Sequence, residues 1–407
     1  MPKLKRDLTM EQQLAAAPLD LPFLMLVVLL TVIGVITVFS ASYPTAINEG
    51  AKPTTYFTHQ AIYACLGLFL MYAASRVNYQ YYRPLSILLL GIALVLLVLV
   101  LIPGVHTVRS DGVKRWIRRI GPIPSFQPSE VAKLGVILFF SAKMSRRHEI
   151  KRTQYDPNIY LGKFPAGRVM QKLEDWGFLE LIPYGAILLL IVYLMKLEPH
   201  MSGTILILIP AAAILFAGGI AWRWILIGGT VVSAGLWFII QNTDYMAMRL
   251  EVQADPWANP QNGGYQIIQS LYSIGSGGLF GVGFGQGRQK QLFLPEAEND
   301  FIFSVWCEEM GLVGAYLVLI LFLLLILRGY WIALHARDPF GSLLVVGITT
   351  LMAAQVFLNI SVVTNFLPTT GVSLPFFSYG GTALMIQLAE MGMILSISRQ
   401  IPAPRKD

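Results

Sequence analysis

The sequence is short of charge. Asp, Glu, Lys and Arg make up 13% of its 407 residues, against about 25% in ordinary soluble domains. With 55% hydrophobic residues, that shortage excludes a soluble enzyme with a solvated surface. It makes residues 1–407 one integral membrane domain, with little chain left for a separate soluble one. Cysteine is scarce too: Cys65 and Cys307 both lie in apolar segments, which argues against a disulfide framework or a two-cysteine metal site. No Gly-Lys-Ser/Thr follows the glycine-rich stretch, so there is no Walker loop, and strand and helix signals for a Rossmann turn are absent around it. No internal repeat, low-complexity tract or inverted symmetry is evident. The leading "MPKLKRDLTMEQQLAAAPLD" has no small-residue cleavage site and reads as the lead-in to a retained first helix.

Long apolar runs are what the sequence has in plenty. Windows of about 20 residues mark helices near 21–42, 57–75, 84–105, 127–144, 178–197, 203–218, 222–240, 300–329, 340–363 and 375–398. The fourth is the least apolar, because it holds Glu130 and Lys133. Ten spans put both termini on one side. The segment 143–177, with Lys143, Arg146, Arg147, Lys151, Arg152, Lys163, Arg168 and Lys172, makes that side cytoplasmic by the positive-inside rule. The expected fold is therefore all-α, with cytoplasmic tails at 1–20 and 399–407 and a large extracytoplasmic loop at 241–299, between helices seven and eight. The net charge of +7 fits a basic face beside anionic lipid and calls for no nucleic acid.

The loop 105–126 breaks the charge rule. It should lie outside, yet it carries Arg109, Lys114, Arg115, Arg118 and Arg119 against Asp111 alone. Either the topology changes here or the outer face gathers cations for a purpose. Forked guanidinium donors suit a phosphate or diphosphate, whereas a purely solvated loop would only touch lipid headgroups. The other large outer segment, 241–300, is acidic, and inside it "GSGGLFGVGFGQGRQKQ" is expected to pack backbone closely against protein at the membrane surface.

Ionisable groups inside apolar helices face a partner or a cavity. Glu130 and Lys133 in "FQPSEVAKL" are three apart and share a helix face; they either fix packing as a buried pair or line a substrate cavity. Pro128 suits the helix start, and Gln127 or Ser129 could satisfy its free amides. In "PEAENDFIFSVWCEEMG", Asp300 is expected to begin the eighth helix with Asn299 as its cap. There it could accept a proton from a sugar hydroxyl or hold a divalent cation, or simply cap the helix. Glu308 and Glu309 lie about 12 Å deeper by helix rise and are expected to serve packing and hydrogen bonding. Before the last helix, Pro368, Gly371 and Pro375 impose an irregular backbone that presents Ser378, Tyr379, Gly380 and Gly381.

Taken together, "KRWI", "FQPSEVAKL", "GYQIIQSLYSIGSGGLFGVGFGQGRQKQLFLPE", "NDFIFSVWCEEMG" and "FLPTTGVSLPFFSYGG" resemble the SEDS family, the shape, elongation, division and sporulation proteins of bacteria. The likeness runs from about Leu21 to Ser398, and the glycine-rich version looks more like the FtsW and sporulation branch than the RodA branch. The resemblance implies a ten-helix peptidoglycan glycosyltransferase of the cytoplasmic membrane. Such an enzyme polymerises lipid II at the outer face, releases undecaprenyl diphosphate and works with a class B penicillin-binding protein among the division or sporulation proteins. It places the family's essential acid at Asp300 and its charged cavity pair at Glu130 and Lys133. Two departures stand out: Glu298 and Asn299 replace a usual His-Thr before the acid, and "EPHMSGT" has His200 where the family has an acid.

On this reading Asp300 is the general base toward the acceptor hydroxyl. Lys114, Arg115 and Arg118, with Arg249 or Arg288, would stabilise the leaving diphosphate, Mg2+ or Mn2+ could share that task, and Ser378 would bind substrate. The rival readings are a flippase for lipid-linked precursors, which needs a polar path through the whole bilayer, and a non-enzymatic division scaffold.

Overall fold

The computed structural model describes residues 19–107, 115–118, 125–147, 166–198, 201–241, 244–261 and 263–401. Its helices are α1 Leu21–Asn48, α2 Thr55–Arg76, α3 Tyr82–Leu99, α4 Pro128–Met144, α5 Ala166–Asp175, α6 Phe178–Leu197, α7 Met201–Ala217, α8 Trp222–Gln241, α9 Asp244–Ala254, α10 Tyr265–Ser276, α11 Ile302–His335, α12 Pro339–Val363 and α13 Gly381–Ser398. Each of the ten apolar windows falls on a helix. Among the described residues, α1, α2, α3 with the turn before it, α6, α11, α12 and α13 are long and apolar enough to cross a membrane. Helix α7, at 17 residues, is apolar but shorter, and α4 has the same length.

The boundaries follow local chemistry. Asp20 caps α1 by accepting the Phe23 N–H at 3.0 Å, and proline at the first turn opens α1, α4 and α12. The third window overran its helix, because α3 stops at Leu99 and the chain turns through Pro103 and Gly104. The tenth began too early: Pro375 to Gly380 form turns, and α13 starts only at Gly381. The all-α expectation needs one amendment. Within the cationic loop, β1 (His106–Thr107) pairs antiparallel with β2 (Trp116–Ile117), and Ile117 bridges to Phe126.

Helix α12 is the most buried of the spanning helices and forms the centre, packed by α11, α7 and α4. Helix α13 lies along α2. They approach so closely at Gly392 that a Cβ there would sit 2.4 Å from the Met71 carbonyl oxygen, the kind of contact by which small residues drive helix association in lipid.

Helix α11 is broken. Gly311, at φ 65° and ψ −167°, occupies a conformation essentially restricted to glycine. The glycine-rich segment after α10 docks into the break, as expected of a close-packing backbone. Val282 and Gly283 N–H donate to the carbonyls of Glu308 and Glu309, and Leu312 and Val313 N–H donate to those of Gly278 and Leu279. These four bonds satisfy backbone groups that an unbroken helix would have paired internally.

Candidate active site

The segment before α11 is not helical. Glu298, Asn299 and Asp300 lie in a turn, and α11 begins at Ile302 with Phe301 before it and no side-chain cap. Asn299 therefore does not cap the helix; its amide donates instead to Glu296 at 2.6 Å. Three consecutive carbonyls of this turn are held from outside. Tyr379 N–H donates to Glu298 O at 2.9 Å, the Ser378 hydroxyl to Asn299 O at 2.7 Å, and the Asn359 amide of α12 to Asp300 O at 2.8 Å. Ser378 is itself fixed, because its oxygen accepts the Leu374 N–H at 2.7 Å. The Asp300 carboxylate faces Gly371, where an added Cβ would lie 3.3 Å from Oδ2.

A cavity of about 970 Å³ opens beside this turn, and Asp300, Glu130, Arg115, Arg249 and Ser378 all line it. Glu130 and Lys133 form an ion pair of 2.7 Å, with Lys133 almost fully buried. Arg115 is brought in by β2, and Arg249 of α9 is held by a hydrogen bond to the Thr369 carbonyl. Arg118 and Arg288 are exposed and stand outside the lining. Lys114 and His200 lie outside the described residues. At the start of α4, neither Gln127 nor Ser129 caps with its side chain, and Ser129 Oγ is buried without a partner among the described residues.

Sequence reasoning assigned no role to the rest of the wall. Thr45, Glu49, Tyr56, Glu298 and Tyr379 line the same cavity. Glu298 is 9% exposed, and burial pushes its carboxyl above the usual range. Burial likewise raises the Tyr379 phenol. Leu292, Glu296 and Phe376, three non-glycine residues at positive φ, also stand on the lining; strained backbone of this kind clusters at functional sites.

Glu308 and Glu309 serve as internal anchors. Glu308 accepts the N–H groups of Arg288 at 2.8 Å and Gln289 at 3.2 Å, together with the hydroxyls of Ser273 and Ser276. Glu309 is paired with buried Lys290 at 2.6 Å, and Ser40 of α1 bonds to both. No group of three or more His, Cys, Asp or Glu arranged to hold a metal is found among the described residues.

A family model described as cell cycle protein, FtsW/RodA/SpoVE, matches residues 21–402. A probable peptidoglycan glycosyltransferase FtsW of Geobacter sulfurreducens is 38% identical, over 94% of this chain and 95% of its own. Stage V sporulation protein E of Bacillus subtilis is 37% identical, over 93% of this chain and 97% of its own. Among solved structures, one described as structural coordination of polymerization and crosslinking by a peptidoglycan synthase complex superposes with a TM-score of 0.70 and 26% identity. It covers 96% of this chain and 99% of the other. Rod shape determining protein RodA of Thermus thermophilus gives a TM-score of 0.60 at 25% identity, over 95% of this chain and 98% of its own. The chain belongs to the FtsW/RodA/SpoVE family of cell cycle proteins.

Proposed function

We propose that Asp300 is the general base of this chain, a SEDS-family peptidoglycan glycosyltransferase of bacterial cell-wall synthesis. The substrate is lipid II, polymerised at the outer face of the cytoplasmic membrane. The observation that supports the assignment is the turn held at three successive carbonyls, which fixes Asp300 in a cavity shared with Arg115, Arg249 and Glu130. Positioning of this kind is what a proton-accepting group needs.

In the transfer, the acceptor hydroxyl gives its proton to Asp300 and its oxygen bonds to the anomeric carbon of the donor with inversion. The bond from that carbon to the diphosphate breaks, and the electron pair leaves with undecaprenyl diphosphate. The leaving group is already good, so no strong general acid is required. Arg115 and Arg249 stabilise the charge that develops on it, Lys133 keeps Glu130 in place, and Ser378 positions Asp300 through Asn299. A divalent cation, Mg2+ or Mn2+, would be held by Asp300 and substrate phosphates rather than by a protein cage, as Mg2+ commonly is, and would add positive charge at the diphosphate.

Ten spans, the seven helices of membrane length and apolarity together with α4, α7 and α8, go with both termini in the cytoplasm and residues 241–299 outside. The partner is a class B penicillin-binding protein, a reading supported by the similar structure of a complex that polymerises and crosslinks. The glycine-rich sequence supports a role in division or sporulation. The similar levels of identity to an FtsW and to a stage V sporulation protein are consistent with either.

The test is polymerisation of labelled lipid II by purified protein with its transpeptidase partner and Mg2+ or Mn2+. Long strands from wild type and none from folded Asp300→Asn are expected. Polymer from both would discard the base. Polymer from neither, with precursor moved across vesicle membranes, would make the chain a flippase.

A further inference from the structure

The cavity wall at the outer ends of α1 and α2 differs chemically from the rest. The Tyr56 hydroxyl donates to Glu49 at 2.7 Å. The rings of Tyr56 and Tyr379 meet edge to face, 4.9 Å between centroids at 61°. Tyr379 N–H reaches the Glu298 carbonyl at 2.9 Å, and the Thr45 hydroxyl reaches the Glu298 carboxylate at 3.4 Å. The strip runs from exposed Glu49 at the mouth to buried Glu298 beside Asp300. Among the described residues, no cation pairs with Glu49 or Glu298.

These facts discriminate between the parts of a lipid-linked sugar. A diphosphate brought against this wall would meet the Glu49 carboxylate and, among the described residues, no cation paired with either acid, so it would be repelled rather than held. An uncharged sugar suffers no such penalty. Its C–H faces pack on aromatic rings, and its hydroxyls donate to carboxylates in charge-assisted hydrogen bonds. Among the described residues the Glu298 carboxyl receives its own main-chain N–H and the long Thr45 contact, which leaves hydrogen-bonding capacity for a ligand hydroxyl.

We propose that the strip Glu298, Thr45, Tyr379, Tyr56 and Glu49 is a saccharide subsite that holds the sugar rings of the growing glycan strand and leads them out of the cavity. The diphosphate is kept to the part of the cavity lined by Arg115 and Arg249. The inference rests on the reading of the chain as a polymerase of lipid-linked sugars.

Two ligands, offered separately to purified full-length protein, test it: a β-1,4-linked N-acetylglucosamine tetrasaccharide, which has neither lipid nor phosphate, and undecaprenyl diphosphate. Wild type should bind both. Tyr56→Leu and Tyr379→Leu should each weaken the tetrasaccharide about tenfold, with diphosphate affinity shifting by less than about twofold, and should shorten the polymer. Equal loss of both ligands, or unaltered tetrasaccharide binding, overturns the subsite. If Tyr379→Leu does not fold, Glu49→Gln at the exposed mouth decides. It should strengthen diphosphate binding and weaken the saccharide, and no change in either overturns the proposal. Wild type that polymerises lipid II but ignores the tetrasaccharide removes the subsite and leaves the reaction standing. Wild type that binds the tetrasaccharide but makes no polymer removes the reaction and retains the saccharide wall.

Discussion

The hydroxyl of Ser378 donates to the main-chain carbonyl of Asn299 at 2.7 Å, joining residues 79 positions apart. The same oxygen accepts the N–H of Leu374, so one small side chain fastens the loop before α13 to the turn that carries Asp300. Ser378→Ala removes both bonds and leaves a partly buried carbonyl and a buried amide unpaired. Stability should fall by about 1–3 kcal/mol. Turnover should fall by about tenfold to a hundredfold through misplacement of Asp300, with lipid diphosphate binding largely retained. Thermal unfolding in detergent and a polymerisation assay separate the two effects.

Lys290 and Glu309 form a buried pair at 2.6 Å. Lys290→Met would strand the carboxylate among α1, α11 and the glycine-rich segment, at a cost of about 3–5 kcal/mol. The double variant Lys290→Met/Glu309→Gln should recover much of that loss. A double-mutant cycle on unfolding midpoints gives the coupling, and purely additive losses would mean that the pair does not stabilise the docked segment.

Gly311→Ala tests the broken helix. A Cβ at this position would fall 2.3 Å from Gly281 N and 2.6 Å from Leu279 O, in a backbone conformation other residues avoid. A loss of about 3 kcal/mol or more is expected, seen as reduced yield and a lowered melting temperature. An alanine variant as stable as wild type would show that the kink is not obligatory.

Glu198, at the end of α6, is fully buried, and among the described residues neither carboxylate oxygen has a hydrogen-bond partner. Burial pushes its pKa up to about 8, against an opposing pull from Arg115. Folding therefore favours the protonated form. Stability from this group is complete below the ordinary carboxylate range and is lost as pH rises to about 8. Glu198→Gln should flatten that fall. Melting temperature measured against pH for both proteins is the check, and parallel curves would mean that Glu198 ionises as freely when folded as when unfolded.

The helices were legible because a bilayer demands long apolar runs, and each of the ten windows falls on a helix. The ends were less so. The apolar residues of 100–105 prolonged the third window past the point where α3 stops, and Pro375 to Gly380 read as helix only because their neighbours are apolar. At the site, Asp300, Glu130 and Lys133 stood out as charges in or beside apolar helices, Arg115 as part of a cationic loop and Arg249 as a cation in an acidic segment. Arg288 stood out equally, yet its loop directs its backbone amide to Glu308 while the residue itself stays outside the cavity lining. Tyr56 and Asn359 gave no such signal, and Tyr379 was legible only as part of the irregular segment before the last helix. They are ordinary residues in their own segments, and only the packing of α2, α12 and the last outer loop brings them to Asp300. The cap expected at Asn299 failed because the turn is held from outside, by Ser378 and Tyr379, rather than by its own side chains.

The break in α11 has a consequence for how the chain is made. The donors and acceptors that complete the helix at Glu308, Glu309, Leu312 and Val313 come from residues 278–283, which leave the ribosome before it does. A newly made α11 therefore meets a segment synthesised before it, and the break is completed when the two dock. Severing the chain between them, or lengthening the connection, would leave the peptide groups at the break to be satisfied by closing α11 into a continuous helix or by other neighbours.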